Sequence, residues 1–308
     1  MVNYISVKSE LESKGSQNEI FFLSDFYFNG KPLESSESKK LAKWGMTLLK
    51  AGSMRFRWNE ENQNRRQTLK KILEEIKKPV CSGNCSSSEA KCDCKLKIVP
   101  VELIHSKIVV KAETEADTKN LQADGILTKN PLLVPTVTVA DCVPIFLFDK
   151  ETNSFGAFHS GWKGTGIAGE GVKKMAEFFS SKPENICAAI GPHIADCCYF
   201  VDEERSEYFS KNFGEACVTK AKHPQSPLEQ KFPYRLSLTQ ANLFVLKKAG
   251  IPEENTVVAN DCTCCTKFNS GENIFGSYRR QAAFLPEEID SDTRSRSMTV
   301  QAAFVAHC

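Results

Sequence analysis

Asp141-Cys142 closes one run rich in β-branched residues, and a second apolar run ends in His159-Ser160-Gly161-Trp162-Lys163-Gly164-Thr165. A thiol beside an imidazole is the start of either a metal site or a thiolate nucleophile with its base. The histidines decide what could join them, because the chain has only five. His223 lies in a Pro-containing polar stretch and His307 is the penultimate residue, so both read as solvated. His193 follows Gly191-Pro192 in a turn and stays open. His105 sits in the apolar segment 98–110, which reads as a strand pair or one bent strand. Two imidazoles and one thiolate suit a borderline-soft divalent ion, and three protein ligands with one open position is the arrangement of catalytic zinc. On residue types alone, a buried inert thiol with two hydrogen-bonded core histidines competes with that reading.

The elements that must position these groups follow from periodicity. Residues 143–149 and 155–158 flank the polar segment 150–154, which predicts strand, turn, strand. Pairing about that turn sets residue 142 across from a position at or beside 159. Residues 18–29 read as a strand region, 34–50 as a helix, and 60–77 as a stronger helix with Leu69, Ile72, Leu73 and Ile76 on one face. Helices are also expected over 171–180 and 202–212, and from an N-cap at Ser237 to Gly250 as the residue after the C-cap. Strands are expected over 185–191, 256–259, 274–279 and 297–306. Mixed strands with interspersed helices predict an α/β (α+β) layered sandwich rather than a βαβ repeat. With no internal repeat, residues 1–308 are expected to form one domain, with 79–96 a Cys/Ser-rich insertion.

Val139-Ala140-Asp141-Cys142-Val143-Pro144, then Ala157-Phe158-His159-Ser160-Gly161-Trp162-Lys163-Gly164-Thr165, then Ile190-Gly191-Pro192-His193 through Tyr199 resemble three successive signatures of one family. Asp124-Gly125 upstream and Ser277-Tyr278-Arg279-Arg280 downstream resemble two more, so the likeness runs over residues 97–305. The family is the laccase-domain family, the YfiH-type purine nucleoside phosphorylases formerly labelled polyphenol oxidases. The resemblance implies a YfiH-like sandwich and one zinc ion held by His105, Cys142 and His159. It also implies phosphorolysis of adenosine, inosine, guanosine and methylthioadenosine, with adenosine deamination as a further reaction. The chain departs from the family pattern around the first ligand, with Leu103 and Ser106 where many members have glutamine and glycine. In the N-terminal part only Asn64-Arg65-Arg66 and Leu69 look like the family's helix.

Other residues extend the expected site. Gly161, Gly164, Gly166 and Gly169 precede a helix beside Lys163, a pattern that could hold phosphate. Arg279 and Arg280 would alternate on a strand, so one faces the site and the other is solvated. Asp141 is the candidate carboxylate behind the metal ligands. Cys81, Cys85, Cys92 and Cys94 could close a second metal site or belong to an ordinary insertion. Cys262-Thr263-Cys264-Cys265 reads as packed small thiols or a functional group.

Three other classes compete. A metal-free cysteine hydrolase would use Cys142 with His159 or His105 as base. A copper-dependent polyphenol oxidase is the poorer reading, because a multicopper centre needs more imidazoles than five, although a single His₂Cys copper site fits. A non-catalytic binding module would keep the site as a vestige. Composition narrows the partners: 40 Lys and Arg against 38 Asp and Glu give a net charge of +2, with no basic stripe for nucleic acid. No run approaches the roughly 20 apolar residues of a membrane span, and the first residues lack a signal-peptide core. The expectation is a cytoplasmic protein acting on small molecules, its 13 cysteines mostly reduced. Oligomeric state is not encoded in any feature of this sequence.

Overall fold

The computed structural model describes residues 1–15, 19–34, 41–76, 95–221 and 230–308. Their strands form sheets of seven, five, three and two strands. The seven-stranded sheet runs β1 (Asn3–Ile5), β16 (Thr256–Ala259), β12 (Ile186–Ile190), β10 (Val143–Asp149), β11 (Phe155–Ser160), β8 (Gly125–Thr128), β7 (Val109–Lys111). The five-stranded sheet runs β2 (Phe21–Asp25), β5 (Ala42–Thr47), β17 (Gln301–His307), β9 (Leu133–Val139), β6 (Lys97–Pro100). Both mix parallel and antiparallel pairs. The smaller sheets are β13 (Phe200–Val201), β15 (Tyr234–Leu236), β14 (Val218–Lys220) and the pair β3 (Tyr27–Phe28), β4 (Lys31–Pro32).

Alternation along β10 explains the layering. Phe146 and Phe148 point one way into a cluster with Trp44, Met46, Val137 and Val305 of the other sheet. Ile145 and Leu147 point the other way, onto Val172 and Met175 of α3 (Ile167–Phe179) and Ala241 and Leu246 of α5 (Leu238–Lys248). β10 is buried on both faces, which is why it reads as a continuous apolar run. The outer face of the five-stranded sheet takes Leu69, Ile72 and Ile76 of α2 (Gln63–Ile76) against Val134, Ala302 and Phe304. Helix, sheet, sheet and helix stack in that order, a layered sandwich of mixed sheets as expected. The remaining helices are α1 (Val7–Ser13), α4 (Glu203–Phe213), α6 (Tyr278–Gln281) and α7 (Ser291–Arg296).

Several expected elements stand where periodicity and capping put them. Ser237 accepts from the Gln240 amide and caps α5, and Gly250 follows its C-cap with φ +89°. Three expectations of secondary structure fail. The segment 34–50, read as a helix, contains β5, and residues 35–40 lie outside the described residues. Its Ala, Lys, Met and Leu content favours a helix, but burial of Trp44 and Met46 between the sheets overrides that preference. Gly45 permits the close pairing, since a Cβ there would lie 2.2 Å from the Phe22 carbonyl oxygen. The segment 274–279, read as a strand, is irregular and ends in α6, capped by the Ser277 hydroxyl accepting from the Arg280 amide.

The stretch 98–110 is neither a strand pair nor one bent strand, because β6 and β7 belong to different sheets. The chain between them crosses from one sheet to the other. Cys81, Cys85, Cys92, Cys94 and His223 lie outside the described residues. No helix is long and apolar enough to cross a membrane among the described residues.

Candidate metal centre

The β10–β11 hairpin delivers two of the three donors. Val143 pairs with Ser160 and Pro144 with His159, so Cys142, one residue before β10, lies at the same end of the hairpin as the imidazole. His105 comes from the crossing between β6 and β7, where it takes φ +58° and remains exposed. The ligand atoms of His105, Cys142 and His159 lie within 4.8 Å of one another. The two rings meet edge to face with centroids 4.9 Å apart. Gly161 keeps the space open: a Cβ there would approach the His105 ring at 3.1 Å and the Cys142 sulfur at 3.3 Å.

Asp124 at the head of β8 holds the cluster together. Fully buried, its Oδ1 accepts from His159 Nδ1 at 2.8 Å and from the His105 amide at 3.0 Å. Its Oδ2 accepts from the Ser106 amide at 2.6 Å and the Ser106 hydroxyl at 2.7 Å. One carboxylate thus orients the His159 ring and fixes the left-handed turn that presents His105. Burial works against its charge, yet the His159 ring and the Ser106 donors keep its carboxyl below the usual range. Ser106, where the family pattern has glycine, supplies two of those donors.

The pair beyond it is polarised. Burial disfavours the thiolate, but His159 and His105 outweigh it and lower the Cys142 thiol to about 6. Burial likewise disfavours the His159 imidazolium, and Cys142 with Asp124 reverses this and raises it to about 9. At neutral pH the bare pair is a thiolate and an imidazolium whose Nδ1–H stays on Asp124. Two nitrogens and a thiolate converging on one point form a donor set that fits zinc.

Asp141 is used differently from the carboxylate expected behind the ligands. It takes φ +78°, and its oxygens accept from Thr263 Oγ1 at 2.7 Å, Ser277 Oγ at 2.9 Å and the Arg279 amide at 2.6 Å. It ties the Cys142 loop to the start of α6, and burial raises its carboxyl. The expectation that Arg279 and Arg280 alternate across a strand gives way to a helical turn. Arg279 reaches the pocket and donates to the Phe200 carbonyl at 3.2 Å. Arg280 is not a solvated residue, because it donates to the carbonyls of Thr263, Cys264 and Phe275. Lys163 is exposed and sits over the Trp162 ring at 5.3 Å, outside the pocket lining. Amides of the glycine-rich turn, those of Ile167, Gly169 and Glu170, bond to carbonyls within it.

The other described histidines are engaged elsewhere. His193 is buried, its ring bonded to the Gly191 carbonyl and Thr239 Oγ1, and burial lowers its pKa. His307, read from sequence as solvated, is 7% exposed with its ring 4.7 Å from that of Phe155. These contacts leave no second imidazole cluster among the described residues for a multicopper centre.

A cavity of about 400 Å³ opens above the three donors, reaching His105 and Cys142 at its floor. Trp162, Tyr199 and Tyr278 give it aromatic walls, and Arg205 and Arg279 bring positive charge. Arg205, on α4, stacks over Trp162 at 4.3 Å. Nothing in the sequence singles it out, because helix spacing does not reveal which neighbour a flanking side chain meets.

A family model described as multi-copper polyphenol oxidoreductase laccase matches residues 80–284. Purine nucleoside phosphorylase YlmD of Geobacillus stearothermophilus is 33% identical over 167 residues, 51% of this chain and 54% of that protein. Purine nucleoside phosphorylase CA_C1699 of Clostridium acetobutylicum is 39% identical over 107 residues, 34% of this chain and 44% of that protein. A protein named adenosine deaminase RL5, from an unknown prokaryotic organism, is 33% identical over 172 residues, 51% of this chain and 62% of that one. The chain thus spans about half the length of the curated relatives it matches. Among solved structures, the hypothetical protein YfiH of Bacillus licheniformis aligns with a TM-score of 0.66 at 24% identity, covering 87% of this chain and 93% of that one. That likeness shows the fold.

Proposed function

From a chain that belongs to the family described as multi-copper polyphenol oxidoreductase laccase, we propose a zinc-dependent purine nucleoside phosphorylase. The observation that carries the reading is the convergence of His105, Cys142 and His159 within 4.8 Å beneath an aromatic and cationic pocket. His105 Nε2 or Nδ1, Cys142 Sγ and His159 Nε2 would hold the ion, and Asp124 would hold the His159 tautomer. When bound, zinc supplies Lewis acidity at the pocket floor. Trp162, Tyr199 and Tyr278 offer ring faces and edges to a purine. Arg205 and Arg279 would neutralise orthophosphate, in place of Lys163 and Arg280. In the reaction a phosphate oxygen bonds the anomeric carbon as its bond to the purine nitrogen breaks, and the base leaves with that electron pair and gains a proton. The relatives named purine nucleoside phosphorylase support this class, and the one named adenosine deaminase makes deamination the second outcome to measure.

The test is chromatography of adenosine, inosine, guanosine and methylthioadenosine incubated with the protein, with and without orthophosphate. Free base formed only with phosphate is expected. Inosine accumulating from adenosine without phosphate would shift the reading to deamination, and no turnover of any nucleoside would end it. Arg205→Ala is expected to raise the KM for phosphate about tenfold, on the scale of one charge-assisted hydrogen bond, while zinc content stays unchanged. An unaltered phosphate KM would remove Arg205 from the phosphate site.

Metal affinity should depend on pH in a set way. His159 carries its extra proton below about 9 and Cys142 is a thiolate above about 6. Between pH 7 and 9 zinc therefore displaces the proton on His159 Nε2, and affinity should fall about tenfold per unit as pH drops. Below about 6 the Cys142 thiol competes as well and the fall steepens. Competitive chelator titration across that range checks this, and an affinity flat from pH 7 to 9 would contradict the thiolate and imidazolium pair.

A further inference from the structure

The sequence left Cys262-Thr263-Cys264-Cys265 between packed thiols and function, and the proposed reaction does not use it. Two loops bring these residues to another cysteine pair. One loop follows β12 and carries Cys197-Cys198 just before Tyr199 of the pocket wall. The other follows β16 and carries Cys262 and Cys265. The loops run side by side, with a parallel bridge between His193 and Cys262 and the Thr263 amide donating to the His193 carbonyl at 3.0 Å.

The sulfurs of Cys197, Cys198, Cys262 and Cys265 all lie within 4.8 Å of one another. Cys197 and Cys198 are 3.8 Å apart, and Cys197 and Cys265 are 3.6 Å apart. A disulfide needs about 2.05 Å. A tetrahedral zinc with bonds of about 2.3 Å separates its thiolates by about 3.8 Å. The observed spacing matches the second arrangement. Cys262 and Cys265 have the Cys-x-x-Cys spacing that commonly supplies half of a structural zinc site. The Ala195 amide donates to Cys262 Sγ at 3.3 Å, the kind of backbone donor that holds a metal-bound thiolate.

We propose that Cys197, Cys198, Cys262 and Cys265 bind a second, structural zinc ion that fastens these two loops. Four thiolates close the coordination sphere, so this ion takes no part in the reaction; its binding releases the protons of whichever thiols are still protonated. Its effect reaches the pocket through the neighbouring residues. Tyr199 follows one cysteine pair directly, and Thr263, between the other two, donates to Asp141, whose Oδ2 receives the Arg279 amide. Cys197 and Cys265 are exposed, which gives the ion access from solvent.

The test begins in the Cys142→Ala background, where the first site is disabled. Zinc per chain is compared between that protein and the same protein carrying Cys197→Ser and Cys265→Ser, both made under reducing conditions. A loss of one zinc per chain on adding the serines is expected, and the difference isolates this cluster from any other bound metal. Cobalt(II) loaded into the same two proteins gives a second reading: an intense thiolate-to-cobalt charge-transfer band with tetrahedral visible bands is expected in the Cys142→Ala protein and is expected to weaken when the serines are added. Unchanged zinc content on adding the serines would overturn the proposal. So would a cobalt spectrum without thiolate bands, a peptide map joining these cysteines by disulfides, or iron with acid-labile sulfide in place of zinc.

Discussion

Cys142→Ala is expected to lose the zinc of the proposed catalytic site and to lower phosphorolysis by about a thousandfold, with the fold intact. The thiolate is the one anionic donor of the three, and the ion it retains is worth about 4 kcal/mol of transition-state stabilisation. At about 1.4 kcal/mol per tenfold, that is a factor near a thousand. The fold should survive because Cys142 is half-buried at the pocket floor and only borders the inter-sheet core, and its loss removes a single sulfur there. Metal analysis, circular dichroism and turnover on one preparation check the prediction together. Residual activity near wild type in a variant that has lost this zinc would point to chemistry that does not use this metal. A metal-free cysteine hydrolase also loses activity with Cys142, but its wild-type protein would work in the presence of a chelator.

Asp124→Asn is expected to weaken zinc binding by about 10- to 100-fold, the usual cost of removing the partner that orients a ligating histidine. The substitution keeps size and removes charge. Asp124 accepts four hydrogen bonds, from His159 Nδ1, the His105 and Ser106 amides and the Ser106 hydroxyl. An asparagine must turn an NH₂ toward two of these donors, leaving buried groups unpaired. Because Asp124 acts through His159, the discriminating readout is the pH profile of zinc affinity. Loss of the carboxylate removes one of the two anions that raise His159, so the upper limit near 9 should move down. A uniform loss of affinity with that limit unmoved would reduce Asp124 to a packing role.

How far the sequence reaches is visible in these two residues. The Cys142 and His159 hairpin is legible because two short apolar runs, 143–149 and 155–158, flank one polar turn, which sets residue 142 across from a position at or beside 159. His105 stands out among five histidines, but its setting is not legible in the sequence. The apolar residues around it belong to strands of two different sheets, and the imidazole stands on the link between them at positive φ. Asp124 stands in an Asp-Gly pair whose role the sequence does not show, since its reach to His105, Ser106 and His159 exists only once β8 lies beside β11.

Local signals failed where burial outweighed them. The segment 34–50 carries enough Ala, Lys, Met and Leu to read as a helix, yet Trp44 and Met46 belong between the sheets. The Ser277-Tyr278-Arg279-Arg280 segment reads as a strand until Ser277 is seen as an N-cap, a role its residue type allows. That one change turned Arg280 inward onto three carbonyls and left Arg279 at the pocket. Arg205 was out of reach for a similar reason. The periodicity of α4 marks its buried side with Ser206, Phe209 and Phe213, and does not tell that its neighbour stacks on Trp162.

The central claim is that nucleoside phosphorolysis depends on zinc at His105, Cys142 and His159. The most direct test strips the protein of metal, then titrates zinc back while adenosine phosphorolysis is followed with saturating orthophosphate. Activity absent from the stripped protein, restored by zinc to a plateau, and not restored in Cys142→Ala is the predicted result. Full activity without metal, or equal restoration in Cys142→Ala, would contradict it.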